Sequence, residues 1–107
     1  MVTFVNKLTV HGDPETFRSV RARVSAYMAA QPGYVSHRTL RQAGAPDVRL
    51  EIAEWESAEA HRAAVTSEEF QRLVAGLRPL VTAEPALYED DDDVTGAASH
   101  PEAVGAR

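Results

Sequence analysis

Val48-Arg49-Leu50-Glu51-Ile52-Ala53-Glu54-Trp55 is the stretch on which the fold turns. Its β-branched and aromatic content, bounded by the Gly- and Pro-containing residues 42–47, reads as a strand. Side chains alternate along a strand, so Val48, Leu50 and Ile52 lie on one side, and Arg49, Glu51, Ala53 and Trp55 on the other. Apolar residues on both sides imply that both faces of the sheet are covered. Upstream, Tyr34–Arg41 reads as a partner strand, with Val35, His37 and Thr39 on one side and Tyr34, Ser36, Arg38 and Leu40 on the other. The short loop between the two strands predicts a hairpin.

Further out, residues 3–10 alternate with period two, and Phe4, Leu8 and Val10 share a face with Asn6. Asp13-Pro14-Glu15 starts a helix: an Asp cap, Pro in the first turn, then an acid. Phe17, Val20, Val24, Tyr27 and Met28 form its apolar stripe, and Arg18, Arg21 and Arg23 are read as lying off it on a solvated face. Gln31-Pro32-Gly33 stops it. Ser57 caps a helix from Ala58 to about Val65, and Ser67 restarts it with Phe70, Leu73, Val74 and Leu77 on one face until Pro79. Residues 84–89 form a short last strand, placed at an edge by Pro85.

Strand–helix–strand–strand–helix–strand is the α+β, ferredoxin-like split βαβ arrangement with a four-stranded antiparallel sheet. Helices cover one face of such a sheet. The second cover is most simply another subunit, so a homodimer is expected.

Of 107 residues, the first 89 hold 10 Lys/Arg against 11 Asp/Glu, and the last 18 hold Arg107 against Asp90, Asp91, Asp92, Asp93 and Glu102. The net charge of −5 is mostly a tail effect. Residues 1–89 are read as one domain and 90–107 as an acidic, disordered tail with too little apolar surface to offset ordering entropy. A near-neutral domain lacks the basic stripe that nucleic acid requires. No apolar run approaches the ~20 residues of a membrane span. Met1-Val2-Thr3-Phe4-Val5 shows no charged leader, so a cytoplasmic protein is expected. Zero cysteines exclude disulfides, thiolate nucleophiles and Cys-ligated metals. No histidine pair has metal-ligand spacing, so no metal centre is expected.

The candidate chemistry centres on Glu51 and Trp55, four apart on one strand and hence on one face. Beneath the helices, a carboxylate and an indole would share an apolar pocket, where desolvation favours the protonated acid unless Arg49 pairs with it. The alternative is a core Trp55 beside a Glu51–Arg49 ion pair. Asn6 sits in an apolar set; it is either a substrate-orienting amide or, more simply, bonded to a neighbouring strand. His37 and His61 are candidate bases, each with a structural or solvent-exposed alternative. Arg72 lies off the Phe70 stripe and is a candidate for the pocket rim.

The Gln31-Pro32-Gly33-Tyr34 turn, Ala53-Glu54-Trp55-Glu56-Ser57-Ala58-Glu59-Ala60 followed by Phe70, and the closing Glu84-Pro85-Ala86-Leu87-Tyr88 resemble the antibiotic biosynthesis monooxygenase family over residues 2–89. The resemblance implies a dimeric α+β barrel with a pocket between each sheet and its helices. It also implies oxidation of anthrones or hydroquinones to quinones by dioxygen, with no flavin, haem or metal. Glu51, Trp55, His61 and His37 are then the catalytic candidates, and Asn6, Tyr34, Phe70 and Arg72 the substrate-binding ones. Oxygenases of this kind carry Asn where Glu51 stands, and a pocket tyrosine where His61 stands. Haem-degrading members of the superfamily share Asn6-Lys7-Leu8-Thr9, but carry an iron-ligating histidine just after the position of Phe70. Here that segment reads Gln71-Arg72-Leu73-Val74-Ala75-Gly76-Leu77, and Ala64 stands where their pocket Trp would be. The same pocket would also serve a polyketide cyclase or dehydratase working without dioxygen, or a non-catalytic binding module.

Overall fold

The computed structural model describes residues 1–91; the rest of the expected tail, residues 92–107, lies outside the described residues. Strands β1 (Val2–Val10), β2 (Tyr34–Arg41), β3 (Val48–Trp55) and β4 (Val81–Glu89) form one antiparallel sheet in the order β2-β3-β1-β4. Helices α1 (Pro14–Ala29), α2 (Ala58–Val65) and α3 (Glu68–Ala75) complete the ferredoxin-like order, and a single 3-10 turn, Arg78–Leu80, leads into β4.

Each helix starts where a side chain accepts a free backbone N–H. Asp13 accepts from Thr16, Ser57 from Ala60 and Ser67 from Phe70. The bonds from Thr16 hold the Asp13 carboxyl below its usual value. α3 ends at Gly76, before Pro79 is reached. β4 begins at Val81, three residues earlier than expected, because the chain leaves the 3-10 turn already paired: Val10 faces Val81 and Leu8 faces Ala83. Its edge position accommodates Pro85, which has no N–H to offer.

Packing is concentrated at the two ends of the covered face. Leu8, Phe17, Val20 and Leu77 form a buried cluster at one end, flanked by Val10, Val24, Val74, Leu80 and Val81. At the other end Trp55, fully buried, faces Val2 across the strands, and Ala64 is buried in α2. Between the two lies a hollow. On the opposite sheet face, Val5 and Lys7 of β1 sit beside Ile52 and Leu50 of β3, with Arg38 and Leu40 of β2 alongside. None of the helices among the described residues is long and apolar enough to cross a membrane.

Candidate active site

The hollow is a cavity of about 130 Å³ between the sheet and helices α1 and α3. Its walls are largely apolar, with Phe4, Leu8, Val24, Met28, Phe70 and Trp55 prominent. Strand register dictates its floor. Thr39 faces Glu51 and Glu51 faces Asn6, so three polar side chains form one row across β2, β3 and β1. The next row is His37, Ala53 and Phe4; the last is Tyr34, Trp55 and Val2.

Glu51 is ion-paired, with a partner other than the one expected. Arg21 Nη1 of α1 donates to Glu51 Oε2 at 2.9 Å and to Thr39 Oγ1 at 2.8 Å, and Thr39 Oγ1 donates to Glu51 Oε1 at 2.6 Å. The side chains of Arg21 and Glu51 are 30% and 17% exposed. Arg49, expected to pair with Glu51, instead donates to the carbonyl of Pro46. The placement of Arg21 on a solvated face is thus corrected. Arg21 is four residues after Phe17 and three before Val24, so it shares their inward side, and its guanidinium stacks over the Phe17 ring at 5.7 Å. Arg21 and Thr39 are the site residues that the sequence reading missed.

Asn6 lines the cavity, and its Oδ1 is buried with no hydrogen-bond partner. Bonding to a neighbouring strand, the simpler of the two expectations, is therefore not found for that oxygen. Trp55 Nε1, His61 Nε2 and Arg21 Nε are likewise buried and unpaired. Native interiors seldom leave such atoms unsatisfied, and three of the four belong to residues that line the cavity, Asn6, Arg21 and Trp55, where a ligand or water would satisfy them.

Tyr34 and His37 were expected on opposite sides of β2. A bulge between Tyr34 and Ser36 inserts one residue and turns both onto the cavity side. Tyr34 Oη and His37 Nδ1 lie 2.8 Å apart, with His37 exposed. The bulge follows directly on Gly33, whose φ of +89° suits glycine and whose missing Cβ would lie 2.4 Å from that of Ala60.

His61 stands behind the cavity wall rather than in it. Its ring centroid is 4.7 Å from that of Phe4 and 5.6 Å from that of Trp55, edge-on to the indole. Burial pushes its pKa below the ordinary histidine value, so the imidazole is neutral at neutral pH. Tyr34 also meets the indole edge-on, at 5.6 Å. Trp55 is thereby contacted by two rings. Phe70 lines the cavity, as expected of a binding residue, whereas Arg72 is exposed on α3 and is not part of its wall. The helical phase that takes Arg72 off the Phe70 stripe carries it to the outside.

Chemically, the site offers an apolar slot closed at one end by an indole and crossed by a carboxylate–guanidinium pair. That suits a flat aromatic molecule carrying an ionisable oxygen.

Comparison with known proteins gives a consistent result. The family profile described as antibiotic biosynthesis monooxygenase matches residues 1–76. The chain is similar to deoxynogalonate monooxygenase of Streptomyces nogalater, with 42% identity over 87 residues, covering 81% of this chain and 74% of that protein. It is also similar to the crystal structure of SnoaB, a cofactor-independent oxygenase from the same organism. There the TM-score is 0.79 at 41% identity, over 84% of this chain and 92% of that one. A conserved protein from Methanosarcina mazei shares the fold alone, with a TM-score of 0.74 at 16% identity over 84% of this chain and 92% of that one.

Proposed function

Because the chain belongs to the antibiotic biosynthesis monooxygenase family, we propose that it is a cofactor-independent monooxygenase of aromatic polyketide biosynthesis. It oxidises a polycyclic phenol or anthrone-type intermediate, related to the deoxynogalonate of its relative, to a quinone. The observation that carries this reading is the hollow itself: an apolar slot that holds an acid–base group, Glu51, and a fully buried indole, Trp55.

The substrate supplies the electrons. Loss of a proton to Glu51 from the hydroxyl of the substrate's enol (anthrol) tautomer, in which one methylene hydrogen has already moved to oxygen, leaves an electron-rich anion delocalised over the ring system and onto that former methylene carbon. One-electron transfer to dioxygen gives a radical pair. Recombination forms the C–O bond, and loss of water from the peroxide leaves the carbonyl. Each dioxygen thus places one oxygen atom in the quinone and one in water.

The protein's part is to hold the substrate in the slot that Phe70 lines and Trp55 closes, to exclude bulk water, and to accept and return a proton at Glu51. Asn6 presents an acceptor oxygen to the substrate's hydroxyl groups, and Tyr34 and His37 guard the exposed side of the slot. His61 braces Trp55 from behind. The catalytic unit is residues 1–89, residues 90–107 are an appendage to it, and the protein works in the cytoplasm.

It works as a homodimer. The sheet face opposite the helices carries Val5, Leu50, Ile52 and the exposed Leu40, with Arg38, Lys7, Glu54 and Glu84 interspersed. Such a mixed apolar and charge-balanced face suits a second copy of itself.

The test is turnover of an anthrone-type substrate in metal-free, flavin-free buffer, with and without air. Quinone formed faster than the spontaneous rate, and only in air, supports the reading. Equal turnover in the absence of dioxygen would make the protein a cyclase or dehydratase instead, and no turnover with several such substrates would leave a binding module.

A further inference from the structure

We propose that Arg21 is the anion-binding residue of this site, and that Arg21 and Glu51 take up an ionisable aromatic hydroxyl by exchanging partners. The proposal rests on the monooxygenase reading above and names how that site recognises its substrate. Three observations on the cavity carry it. Glu51 has both oxygens engaged, Oε1 by Thr39 and Oε2 by Arg21. Arg21 lines the cavity and keeps its Nε–H buried with no acceptor, although two other contacts are made through Nη1. Asn6 Oδ1, directly across the strand pair from Glu51, is an unused acceptor.

A lone carboxylate in an apolar slot could take the proton of a bound phenol, but the oxyanion left on the substrate would then sit out of water with no partner to hold it. Here the guanidinium is already present. Before transfer the slot holds one cation and one anion, Arg21 and Glu51. After transfer it again holds one of each, Arg21 and the substrate oxyanion, with Glu51 neutral. The proton moves from the substrate O–H to a Glu51 oxygen, the O–H electron pair stays on the substrate, and no net charge is created in the low-dielectric site. The free Nε–H gives the guanidinium a donor for the new oxyanion without first breaking the Nη1 contacts. Thr39 positions both partners, since its hydroxyl accepts from Arg21 and donates to Glu51. The substrate class that follows is an aromatic with a free, ionisable hydroxyl beside the reacting ring, and its O-methyl ether is excluded from turnover.

The experiment is an anaerobic titration of the full chain with a hydroxylated anthrone, read by the absorption of the ionised chromophore at a pH below the free hydroxyl's own pKa. In the parent protein the bound ligand shows the ionised band. Arg21→Met should bind the ligand in its neutral form and turn over about 100-fold more slowly in air, within the range general-base steps contribute. Arg21→Lys, which keeps the charge and covers the case in which Arg21→Met fails to fold, should retain part of the ionised band. Thr39→Val should lower kcat more than it raises KM. The O-methyl ether should bind the parent and Arg21→Met equally. An undiminished ionised band in either Arg21 variant overturns the proposal. The titration excludes dioxygen, so failure of the oxygenase reading is seen separately: an Arg21-dependent ionised band with no quinone in air sinks that reading and leaves the anion site standing.

Discussion

At the scale of the residue, Glu51 occupies the middle of a polar row on an otherwise apolar floor, and its neighbours determine what it does. Gln at this position is nearly isosteric and keeps room for the contacts to Thr39 and Arg21, but it cannot take a proton. Glu51→Gln should therefore lower kcat by about 10²- to 10⁴-fold while leaving the circular dichroism spectrum unchanged; parent-like turnover removes Glu51 from the mechanism. His61 makes a prediction about stability. Its folded pKa lies below the ordinary histidine value of about 6.5, so as pH falls through that value the unfolded chain takes up a proton before the folded one does. The stability His61 contributes is complete above 6.5 and is lost progressively as pH falls from there to the folded pKa. Denaturant midpoints measured from about pH 7.5 to about pH 5 should fall in the parent and fall less steeply in His61→Gln. The pairing of Glu51 with Trp55 was readable from spacing alone, since period two places them on one face. Arg21 was readable in principle, because positions 17, 21, 24 and 28 make a continuous inward stripe; its charge is what assigned it to the solvent. The missing partner of Asn6 Oδ1 was not readable, because it depends on which atoms approach from other elements.

At the scale of the element, strands β1 to β3 and the three helix starts follow the sequence closely, because alternation and capping are local rules that leave local marks. The bulge in β2 leaves none. It comes from the approach of Gly33 to Ala60 and from the pairing of Tyr34 with Trp55 one position out of step with His37 and Ala53. Reading β2 as a regular strand therefore sent Tyr34 to the wrong side. The start of β4 was missed for a related reason, since pairing with Val10 rather than composition decides where it begins. Gly33 is the point at which this geometry can be broken. Alanine there adds the strain of a left-handed backbone, about 1–2 kcal/mol, and forces its Cβ into Ala60. Gly33→Ala should lower unfolding free energy by roughly 2 kcal/mol or more and reduce turnover as Tyr34 and Trp55 lose register. A variant as stable and active as the parent would show that the turn does not hold the site.

At the scale of the whole molecule, one sheet face lines the cavity, and the other is the face through which we propose that two copies pair. Apolar residues on both sides of β3 carried that inference in the sequence, and the structure places Val5 and Ile52 side by side on the uncovered face. Val5→Asp should convert a species of twice 11.6 kDa into one of 11.6 kDa in analytical ultracentrifugation, and a parent chain that sediments as a monomer would contradict the dimer. The reaction itself is tested most directly by supplying oxygen-18 gas to the metal-free, flavin-free protein with an anthrone-type substrate, and weighing the quinone and the water formed. The expected result is one labelled oxygen in each quinone, one in water, and one dioxygen consumed per product. Unlabelled quinone, or product formed without any uptake of dioxygen, would contradict the chemistry assigned to the hollow beneath the helices.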